Sequence, residues 1–109
     1  MSDIEELIEK LKKFRDARDW EQFHNAKDLA IAISAEAGEL LELFLWKHPE
    51  EADKEKVKEE LADIFAFAFL LADKYGFNVK EIVMDKIIMN DSKYPVEKAK
   101  GTAKKYTEL

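Results

Sequence analysis

Two short stretches of this chain each carry a pair of carboxylates three residues apart within an apolar helical pattern. Glu36 and Glu39 form the first pair, and Glu60 and Asp63 form the second. Positions three apart lie on one face of a helix, so each pair can point in one direction. An ionised carboxylate among apolar neighbours is costly unless it is paired or bound to a metal. We therefore expect the two pairs to face each other across a helical hairpin and form an all-oxygen site suited to Mg²⁺ or Mn²⁺.

The surroundings of these acids, more than their spacing, support a metal site. Acidic pairs three apart are common on helices and mostly mark a solvated face. Here Glu36 falls within a core stripe, and Asp63 stands in the apolar run of residues 61–72. Without Cys or a phosphate-loop, dinucleotide or zinc-protease motif, metal-assisted attack by water is the chemistry that remains. An alternative stays open, in which the buried acids pair with the cations Arg15, Arg18 or Lys93.

Composition limits the class of protein. A chain of 109 residues with three Gly and two Pro favours one domain of long helices, an all-α fold. The absence of Cys excludes disulfides and fits a reducing compartment. A net charge of −6 argues against nucleic-acid binding, which needs many cations against phosphates. The acidic N-terminus is unlike a signal peptide, and the longest apolar window is too short to cross a bilayer. We expect a soluble, cytoplasmic protein with no membrane partner.

Periodicity and capping signals predict the elements that position the acids. Ser2 with Glu5, Asn25 and Asn78 can begin helices, and Gly76 can end one. The predicted helices lie at about 3–18, 26–46, 53–75 and 79–91, with an extended tail over 95–109. The third helix is apolar on almost every side, which predicts burial against another subunit as well.

Large side chains fill the connection between the first two helices. Trp20, Phe23 and His24 either cap the core or stack on a ring-shaped ligand. Arg15 and Arg18 end the stripe of the first helix, where we favour snorkelling and dipole complementation over phosphate contact. On the fourth helix Lys86, Asn90 and Lys93 form one polar line, which by itself predicts a solvated face.

The acids occur together with further motifs: Arg18-Asp19-Trp20-Glu21-Gln22-Phe23-His24, Leu43-Phe44-Leu45-Trp46-Lys47, Tyr94-Pro95 and Lys105-Tyr106-Thr107-Glu108-Leu109. On these residues the chain resembles the all-α nucleoside triphosphate pyrophosphohydrolases of the MazG-like superfamily, especially the dCTP pyrophosphatase branch. The resemblance implies a four-helix bundle-like fold and a homo-oligomer, dimer or tetramer, with sites built partly from a neighbouring chain. It also implies Mg²⁺-dependent hydrolysis of a (deoxy)nucleoside triphosphate, first of all dCTP or a modified dCTP. The products are the monophosphate and pyrophosphate, for nucleotide-pool cleaning or balance.

The resemblance also implies residue roles. Metal binding falls to Glu36, Glu39, Glu60 and Asp63, with Glu36 and Glu39 catalytic. Substrate contacts fall to Trp20, His24, Trp46, Phe67, Lys86, Asn90, Lys93 and Tyr94, which overturns the solvated-face interpretation of the polar line. Phe67 departs from the family pattern, since close relatives carry Tyr there, so base or sugar preference can differ. The competing hypothesis is a non-catalytic helical oligomerisation module with structural acid–base pairs.

Overall fold

The computed structural model describes residues 1–109 and contains helices and turns but no strand. The prediction of an all-α protein is therefore confirmed. The α-helices are α1 (Asp3–Ala17), α2 (Ala26–Glu42), α3 (Lys54–Lys74), α4 (Val79–Lys93) and α5 (Val96–Ala99). Short 3₁₀ helices occur at Glu21–Phe23, Pro49–Glu51 and Tyr106–Glu108. No helix is both long enough and apolar enough to span a membrane.

The helix ends follow the predicted capping residues. The Ser2 hydroxyl accepts the backbone N–H of Glu5, and the Glu5 carboxylate accepts the backbone N–H of Ser2. Asn25 and Asn78 each accept a backbone N–H from the first turn of the helix that follows. Gly76 follows α3 with φ of +70°, the left-handed conformation that glycine adopts without steric cost. Local side-chain hydrogen bonds thus set these boundaries.

Two predicted boundaries are wrong. We expected the second helix to reach residue 46, but α2 ends at Glu42. The N–H groups of residues 43–45 bond to carbonyls three residues back, which tightens the chain into 3₁₀-type turns. The tail is not extended throughout, because the Pro95 carbonyl accepts the N–H groups of Lys98 and Ala99 and begins α5.

The chain divides into two compact units, Met1–Gly76 and Phe77–Leu109. In the first, α3 packs against both α2 and α1. Its buried apolar residues are Leu29, Leu70 and Ala72, a small core for a unit of this length. The predictions of a single domain and of a four-helix bundle stay predictions.

The second unit contains α4, α5 and the final 3₁₀ helix. Its tail folds back on α4, because the Tyr106 ring meets the Tyr94 ring with centroids 5.9 Å apart. The ammonium of Lys93 lies 4.9 Å from the centre of the Tyr106 ring. Large apolar side chains remain exposed along α4: Ile82, Val83, Met84, Ile87, Ile88 and Met89.

Candidate metal centre and adjoining cleft

The packing of α2 against α3 brings three of the four predicted acids together. Glu36 on α2 and Glu60 and Asp63 on α3 each offer an oxygen atom, and these atoms lie within 4.8 Å of one another. Glu36 and Glu60 are half-buried, whereas Asp63 is exposed. Three carboxylates at this separation repel one another unless a proton or a cation lies among them.

The hydrogen bonding of this acidic cluster (Glu36, Glu60 and Asp63) is incomplete. The Oε2 atoms of Glu36 and Glu60 are buried and have no hydrogen-bond partner. Within residues 1–76, no ion pair includes an acid of the cluster. The buried cation Arg15 pairs with Asp16 and Glu21 instead. Buried carboxylate oxygens without a donor are unfavourable. The donor set, made only of oxygen, fits a hard divalent cation such as Mg²⁺ or Mn²⁺.

The closeness of the carboxylates also changes the pKa of Glu36. The pKa of Glu36 is raised to about 8, first by the neighbouring Glu60 carboxyl, then by burial and by Glu39. When Glu36 carries a proton, it can donate to Glu60; when it is ionised, the two carboxylates only repel. The metal-free cluster therefore holds a proton near neutral pH.

Glu39 lies one turn after Glu36 on α2 and is exposed. It is not among the acids whose oxygens come within 4.8 Å of one another. Its carboxylate is still close enough to raise the pKa of Glu36. Glu39 therefore borders the acidic cluster on its solvent side. Its roles in metal binding and catalysis stay predictions.

A cleft of about 360 Å³ adjoins the acidic cluster, because Asp63 lines it as well. The cleft lies between α1, α3 and the connection that follows α1. Its lining is mostly apolar with a few polar groups, the composition typical of small-molecule sites. The lining residues are Leu11, Phe14, Arg15, Trp20, His24, Asp63, Ala66, Phe67 and Leu70.

The cleft brings together Trp20, His24 and Phe67, three of the predicted substrate-binding residues. The His24 and Phe67 rings meet edge to face, with centroids 6.3 Å apart. The Nδ1 atom of His24 is buried without a hydrogen-bond partner. Burial, followed by the charges of Arg15 and Lys74, lowers the pKa of His24 below its ordinary 6.5. The imidazole is thus neutral at neutral pH and offers one donor and one acceptor.

The large side chains of the connection after α1 do not all pack over the core. Trp20 remains 43% exposed while lining the cleft, and its ring meets Phe14 edge to face at 5.8 Å. Phe23 is 61% exposed, so core capping is wrong for that residue.

The predicted environment of Arg15 is wrong. Snorkelling predicts an exposed guanidinium, but Arg15 is only 6% exposed and lines the cleft. Arg18 stays exposed and stacks on the Phe14 ring at 3.6 Å. The available signal was the spacing of Arg15 from Leu7 and Leu11, which continues the apolar stripe. Spacing alone does not separate a buried guanidinium from a snorkelling one.

Within residues 1–76, Trp46 is the predicted substrate-binding residue that does not line the cleft. Trp46 is 99% exposed, with a left-handed backbone of φ +59°. The predicted polar line does lie on α4, where Lys86 and Asn90 are exposed and Lys93 is half-buried. Tyr94 follows as the C-cap of α4. The predicted contacts of these residues with base, sugar and phosphates stay predictions.

Fold and site together define an all-helical protein with a candidate cation centre beside an aromatic cleft. Residues 31–109 match the MazG-like family. The dCTP pyrophosphatase 1 of Bos taurus is 36% identical over 97% of this chain and 68% of its own length. The Homo sapiens dCTP pyrophosphatase 1 is 33% identical over 97% and 67%. A pyrophosphatase from Archaeoglobus fulgidus DSM 4304 has a crystal structure that superposes with a TM-score of 0.81. It is 38% identical, covering 87% of this chain and 94% of that one.

The chain therefore belongs to the MazG-like family, as the sequence predicted. The matched range includes every acid of the two pairs, whereas Arg15, Trp20 and His24 lie before it. The relatives named dCTP pyrophosphatase 1 extend the similarity over nearly the whole chain.

Proposed function

We propose that this protein hydrolyses dCTP, or a modified dCTP, to the monophosphate and pyrophosphate with Mg²⁺ bound at the acidic cluster. Family membership and the named relatives make it a nucleoside triphosphate pyrophosphohydrolase; the metal and the base are the finer part of the proposal. One observation carries that part. Two buried carboxylate oxygens lack partners beside an aromatic cleft of about 360 Å³.

The proposed metal ligands are Glu36, Glu60 and Asp63. Glu39, predicted from the resemblance as a fourth ligand, is proposed to act on the attacking water instead. A bound Mg²⁺, or Mn²⁺ in its place, neutralises phosphate charge and lowers the pKa of coordinated water. The carboxylates hold their oxygens close together before any ligand arrives, because two packed helices fix their spacing. This preorganisation favours cation binding over solvation of separate acids.

Glu39 is the proposed general base. It is solvent-accessible and borders the acidic cluster, so it can orient a water and accept its proton. The water oxygen forms a bond to the α-phosphorus while the bond from that phosphorus to the bridging oxygen breaks. Pyrophosphate leaves with that bridging oxygen, and the nucleoside monophosphate remains.

The cleft is the proposed base pocket. Trp20 and Phe67 supply aromatic surface, and His24 supplies the unpaired Nδ1 atom. Asp63 lines the cleft and belongs to the acidic cluster, so a single ligand can reach both. The phosphates then lie at the acids and the base lies among the aromatic rings.

We also propose a homo-oligomer, dimer or tetramer. Only three apolar residues are buried, and the large apolar side chains of α4 are exposed. A second copy would cover such surface.

Assaying pyrophosphate release from a panel of dNTPs and NTPs, with and without Mg²⁺, tests the proposal. We expect release from dCTP only with the metal, and loss of release in Asp63→Asn with its helical circular dichroism unchanged. If no nucleotide is cleaved with millimolar Mg²⁺, the proposal is wrong. The competing oligomerisation module requires the buried acids to pair with cations, and within residues 1–76 Arg15 pairs with Asp16 and Glu21 instead.

A further inference from the structure

Arg15 is the one charged residue of residues 1–109 that is buried, with 6% exposure. It stands on α1 in the wall of the cleft, among Trp20, His24 and Leu70. A buried guanidinium is unfavourable unless its donors find acceptors. The structure satisfies this requirement only in part.

A guanidinium has five N–H donors, of which Arg15 uses one in a hydrogen bond. Its Nε donates to Asp16 Oδ1 at 2.8 Å. Its Nη2 atom is 3.8 Å from Glu21 Oε2, an ion pair too long for a hydrogen bond. Asp16 thus contacts the guanidinium at Nε, and Glu21 lies near its Nη2 atom. The remaining Nη donors are free to bind a group in the cleft.

The contacts of Arg15 place it toward the C-terminal end of α3, where Leu70 lines the cleft with it. Glu21, the ion-pair partner of Arg15, also pairs at 3.8 Å with Lys74, which is the last residue of α3. Leu70, which lines the cleft with Arg15, follows Asp63 by seven residues, which is about 10 Å along a helix. A nucleotide with its phosphates at Asp63 would therefore present its base, not its phosphates, toward Arg15.

We propose that Arg15 is the base-reading residue of this protein and donates from its Nη atoms to O2 and N3 of cytosine. This inference rests on the proposed function, whose base pocket it explains. The planar fork of an arginine matches two adjacent acceptors. Cytosine offers such a pair, whereas uracil and thymine place an N–H between their carbonyls. Adenine offers no two adjacent acceptors, because its N6 amino donor lies between N1 and N7.

Guanine also has two adjacent acceptors, O6 and N7. The cleft volume of about 360 Å³ lies near the lower end of ligand pockets and favours the smaller pyrimidine ring. Cytosine is therefore the base that the cleft should bind in preference to guanine. A higher kcat/KM for dGTP than for dCTP in the unmodified protein would overturn it.

The first test compares Arg15→Lys and Arg15→Met with the unmodified protein on dCTP and dUTP. We expect kcat/KM for dCTP to fall about 10- to 100-fold, the effect of losing a hydrogen bond to a charged group. The value for dUTP should change by less than about threefold, within the range of a neutral surface change. Lys13→Met, an exposed cation on the same helix, is the matched control and should behave as the unmodified protein. An equal fall for both nucleotides would show a structural or phosphate-binding role and overturn the inference.

The second test changes the ligand, so it does not depend on how a variant folds. A dCTP analogue with carbon in place of N3 should lose about 10-fold or more in the unmodified protein. The same analogue and dCTP should be equivalent in Arg15→Met; sensitivity retained in that variant would contradict the inference. Calorimetric binding of dCMP and dUMP separates the two proposals. Arg15-dependent preference for dCMP without any cleavage would refute only the hydrolase function, and cleavage without preference would refute only the role of Arg15.

Discussion

Glu36 and Glu60, on neighbouring helices, each present a buried Oε2 atom that no hydrogen-bond donor reaches. Their carboxylates also approach Asp63, with oxygens of all three within 4.8 Å. The fold of the first unit thus places three carboxylates close together. Their mutual repulsion is unfavourable, and a bound proton or cation reduces it. Folding, protonation and metal binding are coupled at this point.

Metal binding should stabilise the folded protein through Glu60. Saturation with Mg²⁺ or Mn²⁺ at 100 times the dissociation constant adds about 2.7 kcal/mol. That corresponds to a rise in Tm of about 10 °C or more for a domain of this size. Glu60→Gln should lose most of this shift, because an amide oxygen is a weaker ligand than a carboxylate. Glu59→Gln, an exposed neighbour, should keep it; an unchanged shift in both variants would exclude Glu60 as a ligand.

The raised pKa of Glu36 predicts how stability depends on pH without metal. Because the pKa is about 8 in the folded protein against an ordinary 4.5, the folded state binds more protons between these values. The stability contribution of Glu36 is therefore complete below about pH 4.5 and is lost as pH rises toward 8. Urea unfolding of Glu36→Gln should show a flatter pH profile in this window than the unmodified protein, with EDTA present. Identical profiles would contradict the assignment.

His24 should titrate below its ordinary pKa of 6.5, since burial and the charges of Arg15 and Lys74 disfavour the imidazolium. The stability that its neutral form contributes is present above pH 6.5 and is lost as pH falls through the lowered pKa. NMR titration of the His24 ring measures this directly. Arg15→Met should move the value back toward 6.5, whereas Lys13→Met should leave it in place. A His24 pKa at or above 6.5 would contradict the burial of this side chain.

The substitution Glu39→Gln tests whether Glu39 acts as a general base or as a metal ligand. As a base outside the three close oxygens, Glu39 should contribute about 10²- to 10⁴-fold to kcat. The Mg²⁺-induced rise in Tm should survive the substitution. Glu42→Gln, an exposed acid one turn along α2, is the matched control and should leave both quantities unchanged. Loss of the thermal shift in Glu39→Gln would make Glu39 a ligand instead.

The exposed apolar side chains of α4 predict that assembly depends on this helix. Ile88 is 66% exposed, and a charge there should oppose burial against a second copy. Light scattering with size-exclusion chromatography should show smaller assemblies for Ile88→Asp over a dilution series. Lys80→Asp, near the start of the same helix, should assemble normally. A monomeric unmodified protein at every concentration would refute the oligomer.

Local features of the chain were predictable from the sequence because they depend on neighbours along the chain. The capping residues Ser2, Asn25 and Asn78 and the left-handed Gly76 behave as expected, since each acts within one helical turn. The spacing of the acidic pairs likewise identified side chains that could share a face. The early end of α2 was not predictable, because residues 43–45 keep an apolar pattern while their hydrogen bonds shorten to three residues.

The sequence by itself thus determined the all-α class, the helix starts, the family and the set of candidate acids. Only the tertiary structure decided which of these side chains meet. The packing of α2 on α3 joins Glu36 to Glu60 and Asp63 and leaves Glu39 at the border. The packing of α1 on α3 buries Arg15 in the cleft wall, where periodicity allowed exposure equally well. Helical periodicity specifies a face, but the neighbour that covers this face depends on distances between helices, which spacing along one chain does not contain.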